Sequence, residues 1–327
     1  MVAEFGPEAD DLCGIAPSSL QLSRVPSQGR PSPHRRAIGD PAGFSRGGVR
    51  MKLSILMAAY NEAETITQAI DEVLEINYPC EIELIIVDDG SNDETPNLLA
   101  QVDDPRVTML RHPNNRGKGA ALLTAVGTAT GTHILPFDAD LEYVAEDILK
   151  LVEPVLRGRC SVVYGVRLFG YYTVYGSYLY AIGNKIFTRT ANMLFGACLS
   201  DLHTCLKLIP IDVLKSLDLR EDGFGLDTEV SASLLRGGIR PFEVPVSYFS
   251  RSHEQGKKIN WRDALACLRI LLRVRVQSRS RFARAREFAG IERHKRPSTV
   301  PEPSEAWEGP ALRVNEPTDE LGVGATG

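Results

Sequence analysis

The chain has 327 residues, of which 43% are hydrophobic and 24% are charged, and its formal net charge is -5. This composition is ordinary for a globular protein, and the mild negative charge gives no reason to expect nucleic-acid binding. The six cysteines lie far apart and form no C-x-x-C pair, which argues against a zinc site or a disulfide framework and favours inert thiols in a reducing compartment.

The two ends of the chain differ in composition from its middle. Residues 1–50 are rich in Pro, Gly, Ser and Arg and lack an apolar period, which predicts a disordered extension. At Met51 a methionine directly precedes an apolar run, so Met51 is also a candidate start of translation. From about Pro297 the chain is again rich in Pro, Glu and Gly. We therefore predict one folded domain over 51–288, with disordered segments at 1–50 and 289–327.

Within this domain, apolar runs typical of strands alternate with segments of helical period. The predicted strands cover residues 53–59, 82–87, 106–110, 132–137 and 161–164. The predicted helices are 63–76, one capped by Ser91 or Asn92 with Asp93 and Glu94 in its first turn, 119–128 and 145–156. This alternation predicts an α/β domain with a mostly parallel sheet. Ligands of such sheets bind beyond the carboxyl ends of the strands, so the turns at 60–62, 88–91 and 138–142 are the informative ones.

The turn after the fourth predicted strand carries alternating acidic residues. Asp138 and Asp140 are separated by Ala139, and Glu142 follows two residues on. Carboxylate oxygens at a strand end suit Mg²⁺ or Mn²⁺, bound with help from substrate phosphates. Such a cation neutralises the charge that builds on a diphosphate leaving group. The alternative is the N-terminus of a helix with acidic residues in its first turn.

Two other polar turns follow the first two predicted strands. Asp88 and Asp89 meet a Gly-Ser turn, where carboxylates can hold a ribose or a base edge, and ordinary turn chemistry is the alternative. Tyr60 and Glu62 follow the first strand. Lys118 lies between glycines at a predicted helix start, within reach of a phosphate or a base, and a solvated loop lysine is the alternative. Because the acidic turns share one sheet edge, they predict a common ligand site.

This set resembles the family 2 glycosyltransferases, and more narrowly the synthases of polyprenyl-phosphate and dolichyl-phosphate hexoses. The resemblance covers about residues 51–275. Its motifs in chain order are MAAYNEAETI, IIVDDGSNDET, NRGKGAAL, FDADLEY, YGVR, SDLHTCLK and EVPVSYFSRSHEQGKKINWRD. The resemblance implies a single nucleotide-sugar-binding domain of the GT-A type, related to the Rossmann fold, with C-terminal amphipathic helices. It also implies Mg²⁺ or Mn²⁺ as cofactor and inverting transfer of a hexose from GDP-mannose or UDP-glucose to polyprenyl or dolichyl phosphate.

The resemblance also implies residue roles. The nucleotide-sugar would be contacted by Tyr60, Glu62, Asp88, Asp89, Lys118 and Ala139. The metal ligands would be Asp138, Asp140 and Glu142. Arg167 and Arg251 would contact phosphate groups, because a guanidinium is always charged and binds phosphate bidentately. Asp201 and Glu229 would line the sugar pocket, with a capped helix as the alternative for each. The SDLHTCLK segment differs from the glycine-rich version of dolichyl-phosphate mannose synthases, so glucose or another hexose stays open.

Two segments favour a membrane surface. Residues 169–195 are rich in aromatic and aliphatic side chains. Residues 263–286 are predicted to form a basic amphipathic helix, and a core-packing helix with a solvated arginine face is the alternative. Its apolar stripe is Leu265, Leu268, Leu272 and Val276, and its arginines include Arg269, Arg273, Arg279 and Arg286. With no uncharged apolar run of about 18 residues and no signal peptide, we expect a peripheral protein on the cytoplasmic face, bound directly or through a separate membrane anchor protein.

Three other functions share parts of this pattern. A sugar nucleotidyltransferase has a similar architecture but usually needs a glycine-rich loop after the first strand, where this chain has AAYNE. A related transferase that acts on a soluble alcohol or a polysaccharide needs a general base, for which Glu229 or Asp201 is available. A non-catalytic membrane-associated scaffold is the third, and donor hydrolysis and metal binding separate it from an enzyme.

Overall fold

The computed structural model describes residues 51–167, 173–174, 178–250 and 261–290, with only the backbone given at 179–180 and 261–263. The predicted disordered segment at 1–50 lies outside these ranges, and so does the one at 289–327 except for its first two residues. Within them, every helix is too short or too polar to cross a membrane.

The strands form a seven-stranded sheet and a two-stranded sheet. The first seven are β1 Lys52–Ala59, β2 Glu81–Asp88, β3 Val107–Arg111, β4 His133–Pro136, β5 Val163–Val166, β6 Thr173–Val174 and β7 Lys207–Pro210. The last two are β8 Phe242–Pro245 and β9 Tyr248–Phe249. The order in the large sheet is β3-β2-β1-β4-β7-β5-β8, and β6 pairs with β9. All neighbours in the large sheet are parallel except β7, which is antiparallel to β4 and β5. The predicted mostly parallel α/β class is confirmed.

The helices cover both faces of the large sheet. They are α1 Ile66–Glu75, α2 Thr95–Leu99, α3 Lys118–Thr128, α4 Ile148–Leu156, α5 Tyr178–Phe195, α6 Ile211–Lys215, α7 Gly225–Gly237, α8 Trp261–Val276 and α9 Ala283–Phe288. Side chains of β1 alternate between two buried clusters, with Ile55 and Met57 on the side of α1 and Leu56 on the side of α3. A sheet buried on both faces explains why its strands are continuous apolar runs.

Two predicted helices differ from the structure. The predicted cap at Ser91 or Asn92 is wrong, because α2 begins at Thr95. The polar side chains before α2 bind the turn that follows β1 instead. Asp93 accepts hydrogen bonds from the amides of Thr95 and Ala63, and Ser91 Oγ accepts from the Asn61 amide.

The predicted single helix over 263–286 is also wrong. The α8 helix ends at Val276, and the backbone is extended at Ser278, whose Oγ accepts the Ser280 amide at the start of a 3-10 turn. The guanidinium of Arg236, a residue of α7, donates two hydrogen bonds to the carbonyl oxygen of Gln277 and so stabilises the break after α8.

The carboxyl ends of β1, β2, β4, β5 and β8 lie at one edge of the large sheet, because these strands run in the same direction. The antiparallel strand β7 begins at this edge, so the residues just before it, Asp201 to Leu206, join the turns that follow the parallel strands. Polar side chains distant in sequence therefore meet at this edge.

Candidate active site

The turn after β4 places Asp138 beside Lys118. The strand ends at Pro136, Phe137 is buried, and Asp138 Oδ1 lies 2.6 Å from Lys118 Nζ. Burial alone would raise the pKa of Asp138 and lower that of Lys118. The mutual attraction outweighs burial, so the pKa of Asp138 is lowered and that of Lys118 is raised well above its ordinary value. Lys118 is therefore a charged group of the site rather than a solvated loop lysine.

Asp140 lies in the same turn, and the positive charge of Lys118 is too weak there to keep its pKa low. Burial and repulsion from Asp138 and Glu142 raise the pKa of Asp140 to about 7. Its Oδ1 accepts the Glu142 amide at 3.0 Å, and Leu141 between them has a φ of 58°. Crowded carboxylates of this kind are an environment that a divalent cation would stabilise.

Glu142, the third predicted metal ligand, has a side-chain partner of its own. Tyr248 Oη donates a hydrogen bond of 2.5 Å to Glu142 Oε2, and the Arg167 guanidinium lies 5.0 Å from the centre of the Tyr248 ring. Across the part of the chain that the structure describes, no group of three His, Cys, Asp or Glu side chains could hold a metal ion. Two carboxylates, such as those of Asp138 and Asp140, can still hold Mg²⁺ when substrate phosphates complete its ligands, which is how this ion is usually bound.

The turn after β2 contains a buried acceptor. Asp88 Oδ1 accepts the Ser91 amide at 2.9 Å. Asp88 Oδ2 lies 3.1 Å from Arg111 Nε, yet the pair is not aligned as a hydrogen bond, and among the described residues no donor satisfies this oxygen. An unsatisfied buried oxygen is costly, so this atom suits a donor group brought by a ligand.

Asp89 holds a loop of the protein. Its Oδ1 accepts a hydrogen bond from the Arg116 amide and lies 2.7 Å from His112 Nδ1, and its Oδ2 accepts one from the Gly117 amide. Gly117 has a φ of 99°, a conformation that favours glycine. Asp89, which was predicted to contact the nucleotide, therefore shapes the loop that presents Lys118.

The turn after β1 packs against the turn after β2. The Asp89 amide donates to the carbonyl of Ala59, and the Glu62 amide donates to Thr95 Oγ1. Tyr60 is half-buried, and Glu62 Oε2 accepts a hydrogen bond from Thr65 Oγ1. The structure thus brings the predicted turns together at one edge, with the buried Ala139 between the two acidic residues after β4.

Arg167 and Asp201 bind each other. Arg167 Nε and Nη2 lie 2.6 and 2.8 Å from the two oxygens of Asp201, and Asn184 Nδ2 donates to Oδ1 at 2.8 Å. Burial would raise the pKa of Asp201, but the Arg167 charge and these hydrogen bonds lower it to about 2. The sequence assigned these two residues to a phosphate and to a sugar, whereas the structure pairs them. Asp201 has no exposed surface.

Glu229 lies inside α7 and binds both α8 and the segment that precedes α7. Its Oε2 accepts the amides of Arg220 and Glu221, and its Oε1 accepts Arg273 Nη2 at 2.7 Å. The N-cap position of α7 is Phe224, so Glu229 does not cap this helix.

The sequence prediction missed Asp227 and Lys207. Lys207 is 2% exposed, and its Nζ lies 2.6 Å from Asp227 Oδ1 and also donates to the carbonyl of Thr204. Although burial opposes the charge on Lys118, Asp138 raises the pKa of Lys118 and the negative charge of Asp227 adds to that rise. The sequence signal that could have revealed this pair is a lysine inside an apolar strand, because a buried ammonium group needs a carboxylate partner.

Arg251, the remaining predicted site residue, lies outside the described residues. So does part of the aromatic-rich stretch at 169–195.

The mostly parallel sheet, with polar turns gathered at the edge where its parallel strands end, is an α/β fold of the GT-A type. The model of glycosyl transferase family 2 matches residues 54–217, about half of the chain, and the chain belongs to this family. The suspected family and fold are thereby confirmed.

Individual relatives agree with this assignment. Glycosyltransferase AglJ of Haloferax volcanii is 28% identical over 198 residues, which is 60% of this chain and 63% of that protein. The bactoprenol glucosyl transferase of Shigella phage SfX is 34% identical over 108 residues, 32% of this chain and 35% of that protein. The chain thus spans less than two-thirds of either relative.

A solved structure shows the same fold. The glucosyl-3-phosphoglycerate synthase of Mycobacterium tuberculosis, in complex with Mn²⁺, UDP and phosphoglyceric acid, has a TM-score of 0.51 and 18% identity. The match covers 70% of this chain and 80% of that one.

Proposed function

We propose that this glycosyltransferase transfers a hexose from a nucleotide-sugar to a polyprenyl or dolichyl phosphate at the cytoplasmic face of a membrane. The observation that carries the proposal is the outer face of α8. A relative named as a bactoprenol glucosyl transferase supports the same class of acceptor.

The α8 helix has two apolar faces. The inner face consists of Cys267, Ile270, Leu271 and Val274, which are all buried. The outer face consists of Leu265, Leu268, Leu272 and Val276, which are 57%, 39%, 49% and 82% exposed. The stripe predicted from the sequence is thus the outer face, and a different set of side chains packs into the core.

Charge favours an anionic lipid as the partner of this outer face. Residues 264–286 contain seven arginines and no Asp or Glu. The neighbouring helix α5 also leaves large apolar side chains exposed, at Tyr178, Ile186 and Met193. An exposed apolar stripe flanked by arginines is the pattern of a helix that lies in a membrane interface.

The donor half of the proposal rests on the edge site. Asp138 and Asp140 would hold Mg²⁺ or Mn²⁺, which supplies positive charge to the leaving diphosphate. The mycobacterial synthase of similar fold binds UDP together with either of these ions. Asp88 Oδ2 would accept a hydrogen bond from the nucleoside, and Lys118 would add positive charge beside Asp138.

The candidate general bases favour a phosphate acceptor. A hydroxyl acceptor needs a base to take its proton, whereas a phosphate acceptor is already ionised near neutral pH. Asp201 is bound bidentately by Arg167, and Glu229 by Arg273 and two backbone amides. With these two carboxylates committed, an in-line displacement by a phosphate oxygen, with inversion at the sugar carbon, relies on positioning and charge.

The test is transfer of radiolabelled sugar into lipid. Purified protein is incubated with UDP-glucose or GDP-mannose, Mg²⁺ or Mn²⁺, and vesicles that contain polyprenyl phosphate, with 3-phosphoglycerate as the soluble control acceptor. We expect label in the organic phase with one donor and none on 3-phosphoglycerate. Label on the soluble acceptor alone would refute the lipid acceptor.

A further inference from the structure

The segment at 220–225, which leads into α7, is held by α8 on one side. Arg273 Nη1 lies 2.8 Å from Glu221 Oε1. The Ile270 side chain fills the space next to Gly225, where a Cβ would lie 2.6 Å from Ile270 Cδ1. The segment therefore has both an ionic and a close steric contact with this helix.

Glu229 strengthens the connection. Its Oε1 accepts Arg273 Nη2, and its Oε2 accepts the amides of Arg220 and Glu221 at 2.8 and 2.9 Å. Arg273 thus bridges Glu221 and Glu229, and Glu229 carries the connection to the backbone of the 220–225 segment. A bridging guanidinium is suited to this, because its donors have a fixed geometry.

The other side of the 220–225 segment contacts the start of α3. The Ala120 amide donates to the carbonyl of Asp222 at 2.8 Å. A Cβ at Gly117 would lie 2.6 Å from the Asp222 carbonyl oxygen, and one at Gly119 would lie 2.6 Å from the Glu221 carbonyl oxygen. Both glycines that flank Lys118 therefore touch the segment backbone to backbone.

We infer that Arg273 is a positioning residue that holds Lys118 against Asp138 through the 220–225 segment, so that contact of α8 with an anionic lipid surface is transmitted to the active site. The contacts form one continuous path from Arg273 to the turn that carries Lys118, and each is a hydrogen bond, an ion pair or a close steric contact. The lipid half of the inference rests on the proposed function, whereas the positioning role of Arg273 does not.

The experiment measures hydrogen exchange in the first turn of α3, over residues 116–123, together with co-sedimentation with vesicles. The full chain is compared with Arg273→Met and with Arg275→Met, which removes an exposed arginine of the same helix that has no ion pair among the described residues. Each protein is studied alone, with phosphatidylcholine vesicles, and with vesicles that also contain phosphatidylglycerol.

We expect exchange at the first turn of α3 to be about tenfold faster in Arg273→Met than in Arg275→Met, because a charge-assisted contact of this kind is worth at least that factor. Phosphatidylglycerol vesicles should slow this exchange in the wild type and in Arg275→Met. In Arg273→Met the vesicles should bind without slowing it.

Equal exchange in the two variants without vesicles would overturn the positioning role of Arg273. An equal vesicle response in Arg273→Met and the wild type would overturn the transmission. If the wild type does not bind phosphatidylglycerol vesicles, the proposed action at a lipid surface is wrong, and so is the transmission from that surface to the active site. The hydrogen exchange measured without vesicles still decides whether Arg273 has the positioning role. Should Arg273→Met not fold, Arg273→Lys replaces it under the same criteria, because lysine keeps the charge but does not bridge both carboxylates with a planar fork.

Discussion

Replacing Asp201 by asparagine should destabilise the protein strongly. The carboxylate is fully buried and its pKa is about 2, against an ordinary value of 3.8. Since one pKa unit corresponds to about 1.4 kcal/mol, the ionised Asp201 contributes about 2 kcal/mol of stability at neutral pH. The substitution also leaves the Arg167 guanidinium without its partner, and breaking a buried pair from one side costs about 3–5 kcal/mol.

The assay is urea unfolding at pH 7, with Asp71→Asn on the exposed face of α1 as the matched control. We expect the free energy of unfolding of Asp201→Asn to fall by about 3 kcal/mol and that of the control to change by less than about 0.5 kcal/mol. A loss at Asp201 no larger than that of the control would show that the pair with Arg167 does not stabilise the fold.

The same pair predicts a pH dependence. The pKa of Asp201 is lower in the folded protein than in the unfolded chain, so its contribution is complete above the unfolded value of 3.8 and is lost as the pH falls from there towards about 2. The difference in unfolding free energy between wild type and Asp201→Asn should therefore shrink over this window. If the difference in unfolding free energy stays constant down to about pH 2, ionisation of Asp201 beside Arg167 is not the cause of the added stability.

Three further predictions concern the metal, the lipid surface and the backbone around Lys118. Asp138→Ala should lower the rate of sugar transfer by at least about 100-fold at saturating Mn²⁺, and near-full turnover would remove Asp138 from the metal site. Leu272→Glu should weaken co-sedimentation with anionic vesicles by about tenfold without a change in melting temperature, whereas Met109→Glu, on the exposed face of β3, should not alter binding; equal effects would refute the lipid-facing role of α8. Gly119→Ala should cost about 1–3 kcal/mol, because its Cβ would lie 2.6 Å from a backbone oxygen, while Gly127→Ala in the same helix has open space and should stabilise by up to about 1 kcal/mol; calorimetry that ranks the two alike would contradict the close contact.

The sequence predicted the central features of the fold because they depend on local pattern. Apolar runs and helical periods located β1, β2, β4 and α3 to within one or two residues. Strands that alternate with helices must run mostly parallel, and parallel strands end at one edge. The convergence of the turns at Tyr60, Asp88 and Asp138 therefore followed before any contact was known.

Some local features were beyond the sequence pattern because a polar side chain near a helix start has more than one partner. By sequence alone Ser91 fits a helix cap and Asp93 the first turn of that helix, yet Ser91 accepts the Asn61 amide and Asp93 accepts the Ala63 amide, both from the turn after β1. The choice between these partners is made by the packing of one turn on another.

What only the tertiary structure decided is which charge meets which. The sequence itself determined that the chain is a mostly parallel α/β protein with acidic turns at one sheet edge, and that Arg167, Asp201, Glu229 and Arg273 are charged. It could not show that Arg167 pairs with Asp201, 34 residues away, or that Glu229 pairs with Arg273, 44 residues away. A buried charge requires a partner, but its identity depends on the antiparallel course of β7 and on where α8 packs, and neither is encoded in the local spacing of residues.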